Sequence, residues 1–304
     1  MLDSLIHIKK AMGTLNPQQV RNLSERPVRV ALHAPSQEAY QEMEDFFLRD
    51  LSPARRRESA QLLTRAPIPL SAKTTDLHVY HASTSAPPDA LIYQPHHAHA
   101  LVRRALADDP SLGVALARRF VPFRRPFIDR VIARTSRENT LFSVSTALPD
   151  VIPSIIELPW AVAEFASDTA FLTTNQIRMA FLIAAASDRD AGYLNQKTEL
   201  ASVIGSAFGW RALARQLVGK IPFGGGLIAK AAVAYAGTKV LGLSLERYYS
   251  IGFTYTREER DQIYTEAFRQ GKQIAIRMIS YLRPDLGKKL NGKNGAVEEQ
   301  RRGS

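Results

Sequence analysis

The stretch KIPFGGGLIAKAAVAYAGTKVLG, Lys220 to Gly242, constrains this chain more than any other. Gly224, Gly225 and Gly226 free the backbone to turn after Pro222, and from Leu227 onward Ala, Val and Leu carry a helix towards Tyr249. Small residues recur at helical spacing: Ala232 and Ala236, then Ala234, Thr238 and Gly242, with Gly237 among them. Faces with so little side chain let a second helix approach backbone to backbone, which predicts a close-packed hairpin. Lys230 and Lys239 fall about half a turn apart around the helix axis, so either face would carry a charge into lipid. A buried helix or a shallow membrane hairpin is expected here rather than a span.

Charge narrows the partners. A formal net charge of +11 points to acidic ones: nucleic acid, phosphate ligands or an anionic membrane face. No cysteine is present, which excludes a disulfide framework and a thiolate zinc site and suits a reducing cytoplasm. The N-terminal LDSLIHIKKAMG places its lysines after its apolar residues, the wrong order for a secretory signal. Asp150, Glu157, Glu164, Arg178, Lys230 and Lys239 interrupt every apolar run before the roughly 18 residues that a span needs. The expected location is cytoplasmic, peripheral at the inner membrane.

Along the chain, Met1 to Leu15 reads as a short amphipathic helix, and Asn16-Pro17-Gln18-Gln19 starts another that Arg26-Pro27 ends. Val28, Val30 and Leu32 alternate as a strand does, and Ala34-Pro35-Ser36 leads into a helix carrying Tyr40, Met43, Phe46 and Phe47. Ser52-Pro53 starts a further helix. Pro67 and Pro69 restrict Leu62 to Leu70 to an edge strand or a loop. Leu77 to Tyr80 and Ala90 to Tyr93 are strands, and His96 to Arg119 is helical, broken at Asp109-Pro110. Pro126 opens a helical run, after which strand signals stop. These patterns predict α/β plus all-α: a small α/β domain with a mostly parallel sheet over 1–119, a helical bundle over 120–283 and a disordered basic tail over 284–304.

Several stretches of the second half carry a resemblance. FIDRVIARTSRENTLFSVSTALPDVIPS (Phe127 to Ser154), LTTNQIRMAFLIAAA (Leu172 to Ala186), GWRALARQLVGKIP (Gly209 to Pro222) and Ala-Tyr-Ala-Gly-Thr (Ala234 to Thr238) resemble the bacterial domain-of-unknown-function family 697. That helical domain is often fused behind Era-like small GTPase domains. The resemblance covers about residues 120 to 250 and implies a helical, sometimes membrane-associated module with no established activity and no catalytic residues to carry over. It also implies that the first half, a strand, loop and helix where a GTPase would sit, is a degenerate G-domain.

The residues of that first half agree with a degenerate site. A phosphate-binding loop needs glycines for close backbone approach and a Lys-Ser or Lys-Thr ending, whereas the loop after the first strand is His33-Ala34-Pro35-Ser36. The Asn-Lys-x-Asp guanine reader is missing too. GTP is therefore not expected, and neither is catalysis. Gly224-x-Gly226-x-x-Ala229 with Glu246 fits the dinucleotide fingerprint in letters, but the flanking residues read as helix where strands are required.

Two other groups of residues are candidate sites. His33, His81, His96, His97 and His99 each follow an expected strand, and in a parallel sheet those ends share one edge. Imidazoles gathered there are a candidate site for a divalent metal or an anion, the basis of an alternative reading as a metal- or phosphate-ligand-binding enzyme. Otherwise they are surface-loop histidines, and no cofactor is predicted. Arg118, Arg119, Arg124, Arg125, Arg130, Arg134 and Arg137 interleave with Phe120, Phe123 and Phe127. Exposed arginines among rings suit an anionic membrane surface, against the alternative of a solvated face over a buried stripe. Nucleic acid is disfavoured for want of a reading motif. Asp188, Arg189 and Asp190 read as a solvated helix end. The leading reading is a non-catalytic interaction or regulatory protein whose protein partner the sequence does not identify.

Overall fold

The structure, a computed structural model, describes residues 15–66, 75–146, 168–199, 201 and 225–285. The expected helix before Leu15, the Pro67 and Pro69 segment, the turn at Pro222 and Gly224, and nearly all of the expected tail lie outside them. Contacts divide the chain into two units. One is Pro17–Val131 with Phe181–Asn195, and the other takes the described parts of Met1–Asn16, Ile132–Ala180 and Gln196–Ser304. The division falls inside a helix rather than at the expected boundary near 120.

The first unit is α/β. Helix α1 (Pro17–Glu25) begins on its proline and stops before Arg26-Pro27, and it leads into β1 (Val30–His33). Helix α2 (Gln37–Leu48) is capped by Ser36, whose Oγ accepts from the Ala39 N–H, and α3 (Pro53–Ala60) is capped the same way by Ser52. Strands β2 (Leu63–Arg65), β3 (Leu77–His81) and β4 (Leu91–Tyr93) follow, then a 3-10 turn (Pro95–His97), α4 (Ala98–Asp108) and α5 (Gly113–Arg119).

All four strands run parallel in the order β2-β1-β3-β4, with Val30 beside Leu63 and Leu77, and Val79 beside Leu91. Side chains alternate between the two sheet faces. Leu32, Val79 and Tyr93 therefore share a buried face with Met43 and Phe47 of α2, which are fully buried. Phe47 packs edge-on against Phe120 at 5.1 Å and stacks with Phe123 at 5.8 Å. Helix α6 (Val121–Ser145) starts ahead of Pro126 and holds it inside, contrary to the expectation that Pro126 opens the helix. Its missing N–H strands only the carbonyl one turn back, so the helix continues. Arg21 Nε donates to the Ala191 carbonyl at 2.6 Å, which fastens Phe181–Asn195 into this unit.

The second unit is helical. Its elements are the remainder of α6, α7 (Asp168–Ala186) up to Ala180, α8 (Gly225–Ile251) and α9 (Arg257–Leu282). The expected close approach is present: a Cβ added at Gly271 of α9 would lie 3.0 Å from the Ala232 backbone of α8. One added at Gly242 would lie 2.6 Å from Ile132 and 3.1 Å from Met179 Sδ, so α6, α7 and α8 meet there. Val144, Ala231, Ala275 and Ile279 form a buried cluster across α6, α8 and α9, and Gly237 is buried too. Among the described residues one helix, Gly226–Ile251, is long and apolar enough to cross a membrane, and 61% of its most apolar window is buried as in a core helix. Lys239 directs its Nζ to Gln270 Oε1 of α9 at 2.6 Å. Thr256 and Glu259 cap α9 reciprocally. A small parallel-sheet α/β unit and a helical unit are thus the fold.

Candidate functional site

In the order β2-β1-β3-β4 the chain reverses its direction of winding between β1 and β3, and open parallel sheets bind ligands beyond the strand ends at such a point. The loops leaving β1 and β3 meet there: Thr84 Oγ1 donates to the His33 carbonyl at 3.4 Å. On the β1 side, the α2 N-terminus is already engaged by Ser36 Oγ. Arg65 at the end of β2 donates to Gln37 Oε1 at 2.5 Å and stands 5.8 Å over the Tyr40 ring.

The histidines do not gather as expected. His33 lies beside Tyr80 in register, whereas His81 lies beside Tyr93. Because faces alternate along a strand, His33 and His81 project from opposite sides of the sheet, which corrects the expectation of a shared cluster. The partner of His33 is His78, two residues before Tyr80 on the same face. Their Nε2 and Nδ1 atoms are 3.0 Å apart, and His33 stacks on Tyr80 with ring centroids at 4.0 Å. One imidazole donates and the other accepts, so the accepting nitrogen carries no proton in this contact. Burial, and then the charge that His78 would carry, hold the His33 pKa below its ordinary value.

On the other face, His81 Nδ1 contacts Ser83 Oγ at 2.5 Å and its Nε2 stands 3.5 Å from Glu42. His96, His97 and His99 are exposed, and the His97 and His99 rings are 6.0 Å apart. Among the described residues no three His, Cys, Asp or Glu side chains come together as a metal would require. The sequence reading passed over His78, although the alternation of Leu77, His78, Val79 and Tyr80 was the signal for it.

The arginine segment also departs from expectation. Phe120, Phe123 and Phe127 are core residues, so their rings are not free to enter a membrane interface. Arg118 pairs with Asp188 at 3.3 Å and Arg119 stands 3.7 Å from Glu58, both largely buried, and burial lowers the Arg124 pKa. Exposure holds for Arg125, paired with Asp129, for Arg130, which donates to the Leu106 carbonyl, and for Arg134, paired with Glu138 at 2.7 Å. The correction has a packing cause: Phe120, Phe123 and Phe127 turn this segment inward and draw neighbouring arginines with them. Asp188 is likewise no solvated helix end, since Arg55 and Arg118 both reach it.

In the helical unit, Asn175 and Gln176 of the Asn-Gln-x-x-Met element are buried, as are Asn139 and Thr238. Asn139 Nδ2 and Gln176 Nε2 donate to Thr238 Oγ1 at 2.8 and 3.0 Å, while Thr238 donates to the Ala234 carbonyl. Asn175 donates to Asn139 Oδ1 at 2.9 Å. Glu246 lies within α8, where the dinucleotide fingerprint would need a strand. In comparisons with protein-family models, curated proteins and solved structures, the chain matches none.

Proposed function

We propose that this chain is a non-catalytic interaction or regulatory protein whose α/β unit is a degenerate G-domain and whose helical unit is related to the unknown-function family 697. The observation that carries the reading is the junction of β1 and α2. A nucleotide-binding sheet presents glycine backbone and free helix N–H groups there to a phosphate, whereas this chain places His33-Ala34-Pro35-Ser36 and turns the Ser36 hydroxyl onto the Ala39 N–H. The neighbouring imidazoles are engaged within the fold: His33 with His78 and Tyr80, and, on the other face, His81 Nδ1 with Ser83. This is a surface built for shape. In this reading the excess positive charge brings the protein to an anionic membrane face in the cytoplasm, where it meets its protein partner.

Calorimetry with GTP and magnesium tests the central step. No micromolar binding that depends on the guanine nucleoside is expected, and a micromolar dissociation constant for GTP that inorganic triphosphate does not share would overturn the reading.

A further inference from the structure

We propose that Arg55, Arg118 and Arg124, gathered around Asp188, bind the phosphoryl dianion of a soluble phosphate compound. Three helices of the α/β unit bring this cluster together: α3 supplies Arg55 and Glu58, α5 supplies Arg118 and Arg119, and α6 supplies Arg124. Asp188 enters from the segment after α7. Arg55 Nη2 lies 2.8 and 2.7 Å from the two Asp188 oxygens, and Arg118 Nη2 lies 3.3 Å from one of them. Arg118 Nη1 also donates to the Arg189 carbonyl at 3.2 Å. Arg55 pairs with Glu58 at 2.9 Å, and Arg119 stands 3.7 Å from the same carboxylate. Three guanidinium groups therefore share two carboxylates, and Arg124 is a fourth cation beside them.

The excess positive charge sits on Arg124. Among the described residues no carboxylate comes within ion-pair distance of it, and its Nε is buried without a hydrogen-bond partner. Arg119 Nε and Ser187 Oγ, the latter beside Asp188, are buried and unpartnered as well. Burial makes this cation costly; the Asp188 charge offsets part of that cost, but Asp188 is already paired with Arg55 and Arg118, whose own charges oppose Arg124. A phosphoryl dianion would neutralise the surplus, and its tetrahedral oxygens suit planar forks arriving from different helices better than a second carboxylate would. The Asp188 carboxylate, held by a left-handed backbone at φ 58, acts as the resident counter-ion beside it.

The depth of the cluster favours a soluble source over a lipid headgroup. Side-chain exposure is 11% for Arg118 and 22% for Asp188, reaching 39% at Arg55 and 55% at Glu58 on the rim. The competing explanation is that the cluster merely fastens the 181–195 segment. Arg55 and Arg118 serve that purpose by direct contact, whereas Arg124 feels the Asp188 charge without pairing with it, so Arg124 separates the two explanations.

The test is calorimetry of the full chain with inorganic pyrophosphate at constant ionic strength. One saturable site is expected, weakened at least tenfold by Arg124→Gln and several-fold by Arg55→Gln, and unchanged by Arg125→Gln. The unliganded Tm of Arg124→Gln should not fall, because no ion pair is lost. The absence of saturable heat in the wild type, or wild-type affinity in the Arg124→Gln variant, would overturn the proposal. If Arg124→Gln does not fold, the more exposed Arg55→Gln decides. Flotation with phosphatidylglycerol vesicles forms the second arm, and Arg124-dependent vesicle binding without pyrophosphate binding would overturn the soluble source.

Discussion

His33 shows how one contact between residues sets a pH response. Its pKa is lowered first by burial and then by His78, whose ring nitrogen faces it at 3.0 Å. Between the lowered folded value and the ordinary 6.5, the unfolded chain binds the proton that the folded chain refuses. Stability contributed by this pair is therefore present above about pH 6.5 and is lost as the pH falls below it. Replacing His78 with alanine should move the His33 titration up towards its ordinary value and flatten the acid limb of stability. NMR titration of the His33 ring checks the first effect and denaturation at a series of pH values the second; an unmoved His33 titration would mean that burial alone sets it. At this scale the strand ends were legible in the sequence, but the pairing was not. Which face each histidine takes depends on register, and register is set by the neighbouring strands rather than by the histidine's own surroundings in the chain.

Helices α8 and α9 show what small residues make room for. Adding a methyl at Gly271 sets a helix-propensity gain of about 1 kcal/mol against a Cβ placed 3.0 Å from the Ala232 backbone and 2.9 Å from Tyr235 Cβ. Backbone cannot step aside as a side-chain tip can, and overpacking costs about 1–3 kcal/mol, so Gly271→Ala should lower stability in urea denaturation despite its better propensity. Thr238 is the second test. Its Oγ1 accepts from Asn139 and Gln176, and Thr238→Val would strand two buried amides at about 1–3 kcal/mol each, whereas Thr238→Ser keeps the acceptor and should cost under about 1.5 kcal/mol. A larger loss in Thr238→Ser than in Thr238→Val would show that the methyl, not the hydroxyl, matters there. The small-residue face of α8 was legible because helical spacing is a local signal. Its polar partners were not, since Asn139 and Gln176 lie on other helices and no spacing within α8 points to them. Pro126 misled for a related reason: its place in a helix was decided by the packing of Phe120, Phe123 and Phe127, not by its own preference.

Over the whole chain, charge and burial make different demands on any membrane association. The net charge of +11 is spread over the sequence, and the arginines that remain exposed on α6, such as Arg125 and Arg134, are each paired with a carboxylate one turn on. The one described helix apolar enough to enter lipid is mostly buried, with Lys239 committed to Gln270. Attraction to an anionic surface must then come from many weakly engaged charges, each contributing about 1 kcal/mol or less near the headgroups. Such binding is screened, because the reach of each charge shrinks from about 10 Å at 0.1 M salt to about 3 Å at 1 M. The full chain should float with phosphatidylglycerol vesicles but not with phosphatidylcholine at low salt, and should be released without detergent as salt rises through that range. Arg134→Gln and Arg137→Gln together should weaken flotation only partly, since no single segment holds the surface. Flotation with neutral vesicles, or binding that survives 1 M salt, would mean that apolar surface enters the bilayer, with exposed side chains such as Ile251 and Phe253 at the end of α8 the first available.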